Sequence, residues 1–216
     1  MRIAVFASGR GSNLRALMEA AGTGYLKAEI AVVLSDVQGA RAMERASQQG
    51  LSARFLEPEA FEVAALEILR KAAADLICLT GFMRILSGDF IQQCGVPILN
   101  VHPSLLPAFP GLRPQRQALE HGARVSGATV HLVDERVDHG PVIAQTPVPV
   151  FQDDDEESLS ERILRQEHRI YPMAVRWFAE GRVSVEGRRV WLAAVPGSRI
   201  ASSRRNADRD AGFLSA

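Results

Sequence analysis

The sequence predicts an α/β fold: Rossmann-like, with a mostly parallel central sheet flanked by helices, an added β-hairpin and a C-terminal helix. Three observations carry this expectation. Short apolar runs end in turn residues, and through the first half they alternate with helical patterns. In the second half, two β-rich runs are joined by a charged loop and followed by one long helical pattern.

Taken in order, "RIAVFAS" (2–8) reads as a strand buried on both faces and "NLRALMEAAG" (13–22) as a helix. "AEIAVVLSD" (28–36) is the next strand, and "RAMERASQQG" (41–50) a helix closed by Gly50. "SARFL" (52–56) gives a short strand before the helix "EAFEVAALEILRKAA" (59–73). "ADLICLTGF" (74–82) and "VPILNVH" (96–102) are two more buried strands. "GATVHLVDERVDHGPVIAQTPVPV" (127–150) predicts a hairpin-like extension of the sheet, its charged loop holding Gly140 and Pro141. "DDDEESLSERILRQEHRIYPMAVRWFAEG" (153–181) is a long helix whose acidic start suits the helix dipole, and Pro172 is expected to kink or split it. Short β patterns "RVSVEG" and "RRVWLA" come after it. The expectation is a single domain over 1–194 and a flexible tail over 195–216, whose residues are polar and small.

At 216 residues the chain can bury roughly 70% of its unfolded surface in one core. Lys plus Arg and Asp plus Glu each total 25, so no net field draws nucleic acid or anionic lipid, and neither nucleic acid nor a membrane is an expected partner. No run approaches the ~20 apolar residues of a span, and the N-terminus lacks an h-region with a cleavage site. Cys78 and Cys94 lie in or beside apolar segments, as free thiols in a reducing compartment do, which makes the cytoplasm the expected location.

"FASGRGSNL" links the first strand to the first helix, where backbone N–H groups and the helix dipole receive anions. It lacks the Gly-Lys-Ser/Thr of a P-loop. A dinucleotide fingerprint wants a third glycine where Leu14 stands, although Asp36 ends the second strand where a ribose-binding acid would lie. A single phosphate monoester on Gly11, Ser12 and Asn13 needs only the turn, the free N–H groups and two short polar side chains. A plain capped turn is the remaining reading.

Asn100 and His102 close the "VPILNVH" strand, at the end where open parallel sheets bind ligands. Residues two apart on a strand share a side, so an amide and an imidazole converge there on one small group, such as a carbonyl oxygen becoming an oxyanion. Pro103, Pro107 and Pro110 stiffen the chain beyond the pair, and "SLLP" supplies an apolar wall. Asp138, in "DERVDHG", is the carboxylate expected beside His102, favouring its cation. The five histidines show no metal spacing, and Ser104 lacks a G-x-S-x-G setting, so no metal and no serine nucleophile is expected.

Together, "SGRGSNL", "GFMRIL", "NVHPSLLPAFPG", "VHLVDERVDHGPV" and "QEHRIYP" resemble, in order over residues 1 to about 192, the phosphoribosylglycinamide formyltransferases of purine biosynthesis. The resemblance implies transfer of a formyl group from 10-formyltetrahydrofolate to the amine of glycinamide ribonucleotide, without a metal. It implies substrate phosphate on Gly11, Ser12 and Asn13, ribose contact from Glu167, folate beside Met83, Arg84, Ile85, Leu86 and Asn100, and catalysis by Asn100, His102 and Asp138. A monomer or homodimer is implied.

Three positions depart from the family pattern. After Phe61, Ala64 stands where an arginine for the phosphate is expected, and Arg113 and Gln115 replace histidines after "PGL". Arg113 is a candidate to restore the charge. Formyltetrahydrofolate hydrolase is the rival enzyme, with water as acceptor; methionyl-tRNA formyltransferase would need a further domain and a basic surface. A non-catalytic or NAD-dependent nucleotide-binding protein would use the glycine loop and Asp36 but leave Asn100, His102 and Asp138 unexplained.

Overall fold

The computed structural model describes residues 1–194, so the expected tail, 195–216, lies outside the described residues. Seven strands, β1 (Arg2–Phe6), β2 (Glu29–Ser35), β3 (Ala53–Phe55), β4 (Leu76–Leu79), β5 (Ile98–His102), β6 (Val125–Leu132) and β7 (Val142–Pro149), form one sheet in the order β3-β2-β1-β4-β5-β6-β7. Pairing is parallel from β3 to β5 and antiparallel from β5 to β7. The helices are α1 (Ser12–Gly22), α2 (Arg41–Gln48), α3 (Phe61–Ala72), α4 (Gly88–Cys94), α5 (Pro114–Glu120) and α6 (Glu156–Ala179). The strands β8 (Val183–Glu186) and β9 (Arg189–Leu192) make a separate antiparallel hairpin.

The two-residue period of β1 divides the core. Ile3 and Val5 join α1 and α6 in one apolar cluster, whereas Ala4 and Phe6 turn to the other face with Phe61, Phe82 and Phe90. There Phe6 meets Phe61 edge-on at a centroid separation of 5.3 Å, and Phe61 meets Phe82 at 5.1 Å. Burial on both faces is why β1 and β4 read as unbroken apolar runs.

Helix α6 begins with a capping box in which Asp155 accepts from the Ser158 N–H and the Ser158 hydroxyl accepts from the Asp155 N–H. The acidic run is thus a helix start. Pro172 does not split the helix, contrary to one of the two outcomes expected from sequence. Its interior position costs about 3 kcal/mol in isolation, but Ile170, Tyr171, Pro172, Ala174 and Val175 are all buried there, and packing holds the turn. The Tyr171 hydroxyl also donates to the carbonyls of Leu79 (2.8 Å) and Leu99 (3.0 Å), fastening α6 to β4 and β5.

Helices α4 and α5 have no counterpart in the sequence pattern. Each is seven residues long, too short for an apolar period to emerge. Their start signals are present: Ser87 accepts from the Phe90 N–H, and Pro114 opens α5 at its first turn.

The sheet's edges are guarded. β3 has only three residues, and β7 carries the exposed Pro147 and Pro149. Between β1 and β4 the strand order reverses, so the connections leaving β1 and β4 diverge and open a crevice at their carboxyl ends.

Candidate active site

Three strand ends border that crevice. After β1, Gly11 takes φ 70° and caps α1; a Cβ there would lie 2.8 Å from Ala42 Cα, a backbone atom. The loop is held from α2, where the Ala42 N–H donates to the Gly9 carbonyl (3.1 Å) and Arg45 Nε to the Arg10 carbonyl (3.0 Å). No side chain caps α1, which leaves its first-turn N–H groups unspent. Leu14, in the place of a third glycine, is fully buried. Asp36 accepts from the Ser8 hydroxyl at 2.6 Å, and Ser8 Oγ in turn accepts the Met83 N–H at 3.0 Å, so one hydroxyl ties together the ends of β1, β2 and β4.

From α6, Glu167 reaches Asn13 across the whole chain: Asn13 Nδ2 donates to Glu167 Oε2 at 2.7 Å, and both side chains are buried. Burial pushes the Glu167 carboxyl up to about 7, with the Asn13 hydrogen bond pulling the other way. Asn13 Oδ1 is buried without a hydrogen-bond partner among the described residues.

After β4, the "FMRIL" segment alternates. Met83 and Ile85 are exposed, Leu86 is buried, and the Arg84 guanidinium lies 5.7 Å from the centre of the Phe61 ring. Two of the four residues expected to face folate therefore anchor the segment, and two offer apolar surface to the crevice.

At the end of β5 stand Asn100 and His102, and the loop joining β6 to β7 folds back to bring Asp138 against His102 and near His131. His102 Nδ1 lies 3.3 Å from Asp138 Oδ2, and Gly111 N–H donates to the same oxygen at 2.8 Å. His102 Nε2 lies 2.9 Å from the Phe109 carbonyl. Both ring nitrogens face oxygens that only accept, a setting that calls for the cation. Burial nevertheless pushes the imidazole down; the Phe109 carbonyl and then the Asp138 carboxylate push it up, and the net direction is below the ordinary value. The pairing expected from sequence is present and the carboxylate favours the cation as expected, but the ring's burial outweighs it. For Asp138, burial raises the carboxyl, and its polar neighbours, the Gly111 N–H and His102 among them, more than offset it, so the net direction is down.

Ser104, the serine weighed as a nucleophile, is fully buried and donates to the Ala108 carbonyl at 2.5 Å. Arg113, offered as a substitute cation, heads α5 within the proline segment, whereas the arginines at the glycine loop are Arg10, within it, and Arg45. Ala64 is half-buried on α3. One residue escaped sequence reasoning: His131, paired with Asn100 across β5 and β6. Only the register of two strands, which no local pattern carries, would have found it.

Comparison with known proteins agrees with this layout. A family model described as formyl transferase matches residues 1–175. The phosphoribosylglycinamide formyltransferase of Escherichia coli is 42% identical over 198 residues, covering 89% of this chain and 93% of its own. The trifunctional purine biosynthetic protein adenosine-3 of Drosophila melanogaster is 43% identical over 188 residues, covering 83% of this chain but 14% of its own. The crystal structure of glycinamide ribonucleotide transformylase 1 from Symbiobacterium toebii superposes with a TM-score of 0.87 at 48% identity, over 90% of this chain and 94% of that one. With the family model matching most of the chain and relatives of over 40% identity covering nearly all of it, the chain belongs to the formyl transferase family.

Proposed function

We propose that this protein transfers the formyl group of 10-formyltetrahydrofolate to the amino group of glycinamide ribonucleotide, a step of de novo purine biosynthesis, and that Asn100, His102 and Asp138 carry the transfer. The observation that supports these roles best is the contact of His102 with Asp138 at the end of β5, with Asn100 two residues away on the same side of the strand.

The chemistry comes from the groups themselves. The neutral amine attacks the formyl carbon, a C–N bond forms, and charge builds on the formyl oxygen. Asn100 and His102 donate to that oxygen. Since His102 Nε2 rests on the Phe109 carbonyl, the formyl oxygen takes that carbonyl's place when the imidazole engages it. As the bond to the folate nitrogen breaks, a proton passes from the amine to that nitrogen, and Asp138 stabilises the imidazolium meanwhile. The α1 N-terminus at Gly11, Ser12 and Asn13 receives the substrate phosphate, Glu167 the ribose, and Met83, Arg84, Ile85 and Leu86 border the folate. Cys78 and Cys94, both free thiols, suit the reducing cytoplasm. The proposed assembly is a monomer or a homodimer.

The reaction is tested by supplying 10-formyltetrahydrofolate with and without glycinamide ribonucleotide. Tetrahydrofolate is expected only when the amine is present; release into water alone would mark a hydrolase.

Gly11→Val tests the phosphate placement. The left-handed φ and the approach of Ala42 make any Cβ displace the loop, so the KM for glycinamide ribonucleotide is expected to rise far more than that for the folate. An equal rise for both would count against it.

Glu167→Gln separates stability from binding. The folded carboxyl titrates at about 7, above its unfolded value, so its favourable protonation is complete below the unfolded pKa and is lost as pH rises through the folded one. At about pH 8 the variant should therefore be more stable than the parent by about 2–4 kcal/mol, an advantage that shrinks to nothing in acid. The KM for glycinamide ribonucleotide should rise about tenfold to a hundredfold, the worth of a charge-assisted hydrogen bond. Thermal melts across pH with paired kinetics measure both.

A further inference from the structure

Asn100 and His131 stand directly opposite one another in the antiparallel pairing of β5 and β6, so their side chains leave the sheet on one face. They meet there, with Asn100 Nδ2 at 3.3 Å from His131 Nε2. The other ring nitrogen, Nδ1, lies 2.8 Å from the Leu132 carbonyl. A carbonyl accepts and never donates, so Nδ1 holds a proton.

The state of Nε2 is decided by its two neighbours. The Asn100 amide nitrogen, a donor, is at 3.3 Å, and Asp138 Oδ1, an acceptor, is farther off at 3.6 Å, beyond hydrogen-bonding distance. A proton on Nε2 would point a donor at a donor across the shorter contact. A lone pair there accepts the Asn100 N–H instead. Asp138 then keeps its oxygens for His102 and the Gly111 N–H.

From this arrangement we infer that His131, as the neutral tautomer protonated on Nδ1, is a positioning residue for formyl transfer: its Nε2 holds one N–H of Asn100 and so aims the other at the formyl oxygen. The inference rests on the reading of Asn100 as a donor to that oxygen. An asparagine amide has two ends of similar size and opposite polarity. Left free to flip, it would present its own carbonyl to the developing oxyanion in part of the population, which is repulsive. At 2% exposure and with Nδ1 anchored to the backbone, the His131 ring cannot follow such a flip, and so it forbids it. His131 thereby acts through Asn100 without touching substrate.

The test compares two amides of different length. Glutamine at 131 sets its Oε1 near the place of Nε2 and keeps an acceptor for Asn100, whereas asparagine reproduces only the Nδ1–H bond to Leu132. His131→Gln is expected to keep kcat within about threefold of the parent. His131→Asn and His131→Leu should each lose about tenfold to a hundredfold in kcat, part of the full value of an oxyanion donor, with both KM values little changed. In an Asn100→Ala background, His131→Leu should cost nothing further. Should the leucine variant fail to fold, the Gln and Asn pair and the 15N NMR shifts of the parent imidazole carry the test. The expected shifts are those of a protonated Nδ1 and an unprotonated Nε2. Equal activity of the Gln and Asn variants, a full additional loss in the Asn100→Ala background, or a protonated Nε2 would each overturn the inference. Near-normal kcat for Asn100→Ala alone would instead overturn the reading of Asn100, and with it the role of His131.

Discussion

His102→Ala is expected to lower kcat by about two to four powers of ten while both substrates still bind, because a group that serves the developing oxyanion adds to transition-state stabilisation and little to ground-state affinity. The ring lies almost wholly out of solvent between the Phe109 carbonyl and Asp138, with no contact to the glycine loop. Its loss therefore leaves the phosphate site intact. It also leaves Asp138 with the Gly111 N–H as a donor, so the carboxylate is not abandoned in the interior. Steady-state kinetics with each substrate varied give the result. A near-normal kcat would return Asn100 and His102 to the role of strand-end packing, and a large rise in both KM values with kcat unchanged would make them binding groups only.

Asp138→Asn is expected to move the basic limb of the rate profile to lower pH. Asp138 sits at φ 53°, a left-handed conformation that asparagine adopts as readily as aspartate, so the change removes charge with little disturbance of the backbone. The carboxylate is one of two groups that hold the imidazole up against burial. Without it the His102 pKa falls further. In the proposed mechanism the cation is the working form, so activity should be present below this pKa and lost as pH rises through it. At neutral pH the variant should be strongly impaired, with part of the activity returning in acid. The parent's imidazole already lies below the ordinary value, and in the proposed mechanism the charge growing on the formyl oxygen adds to the attraction for its proton at the transition state. An NMR titration of His102 in both proteins isolates the cause. An unchanged imidazole pKa would sink the pairing even if the variant were inactive, and would leave Asp138 as a residue that shapes its loop.

What can be read from the sequence depends on how far each signal travels along the chain. Asn100 and His102 are legible because a polar pair at the end of an apolar run, with prolines after it, is a local anomaly. The glycine loop is legible for the same reason. Asp138 can be assigned to a charged loop, but its approach to His102 depends on the loop folding back, and the depth of burial that lowers the imidazole pKa belongs to the packed whole. Asn13 and Glu167 are 154 residues apart, and composition says nothing of their 2.7 Å contact; the resemblance names both residues without joining them. His131 is hidden in an ordinary strand pattern. Pro172 misleads because helix-breaking strength is a local property, whereas the burial around it is not.

The two guarded edges of the sheet bear on how copies of this protein meet one another. An open β edge is a template that recruits any passing strand, and natural sheets that fail to blunt it polymerise. Here β3 offers too short a stretch to template a partner. On β7, Pro147 and Pro149 have no N–H to give, so an incoming strand would find gaps in its ladder of hydrogen bonds. Fusion of two sheets into one continuous sheet is disfavoured at both ends. A homodimer would then be built from surfaces other than these two edges, and its formation would leave the strand order, and the crevice that the order creates, unchanged in each copy.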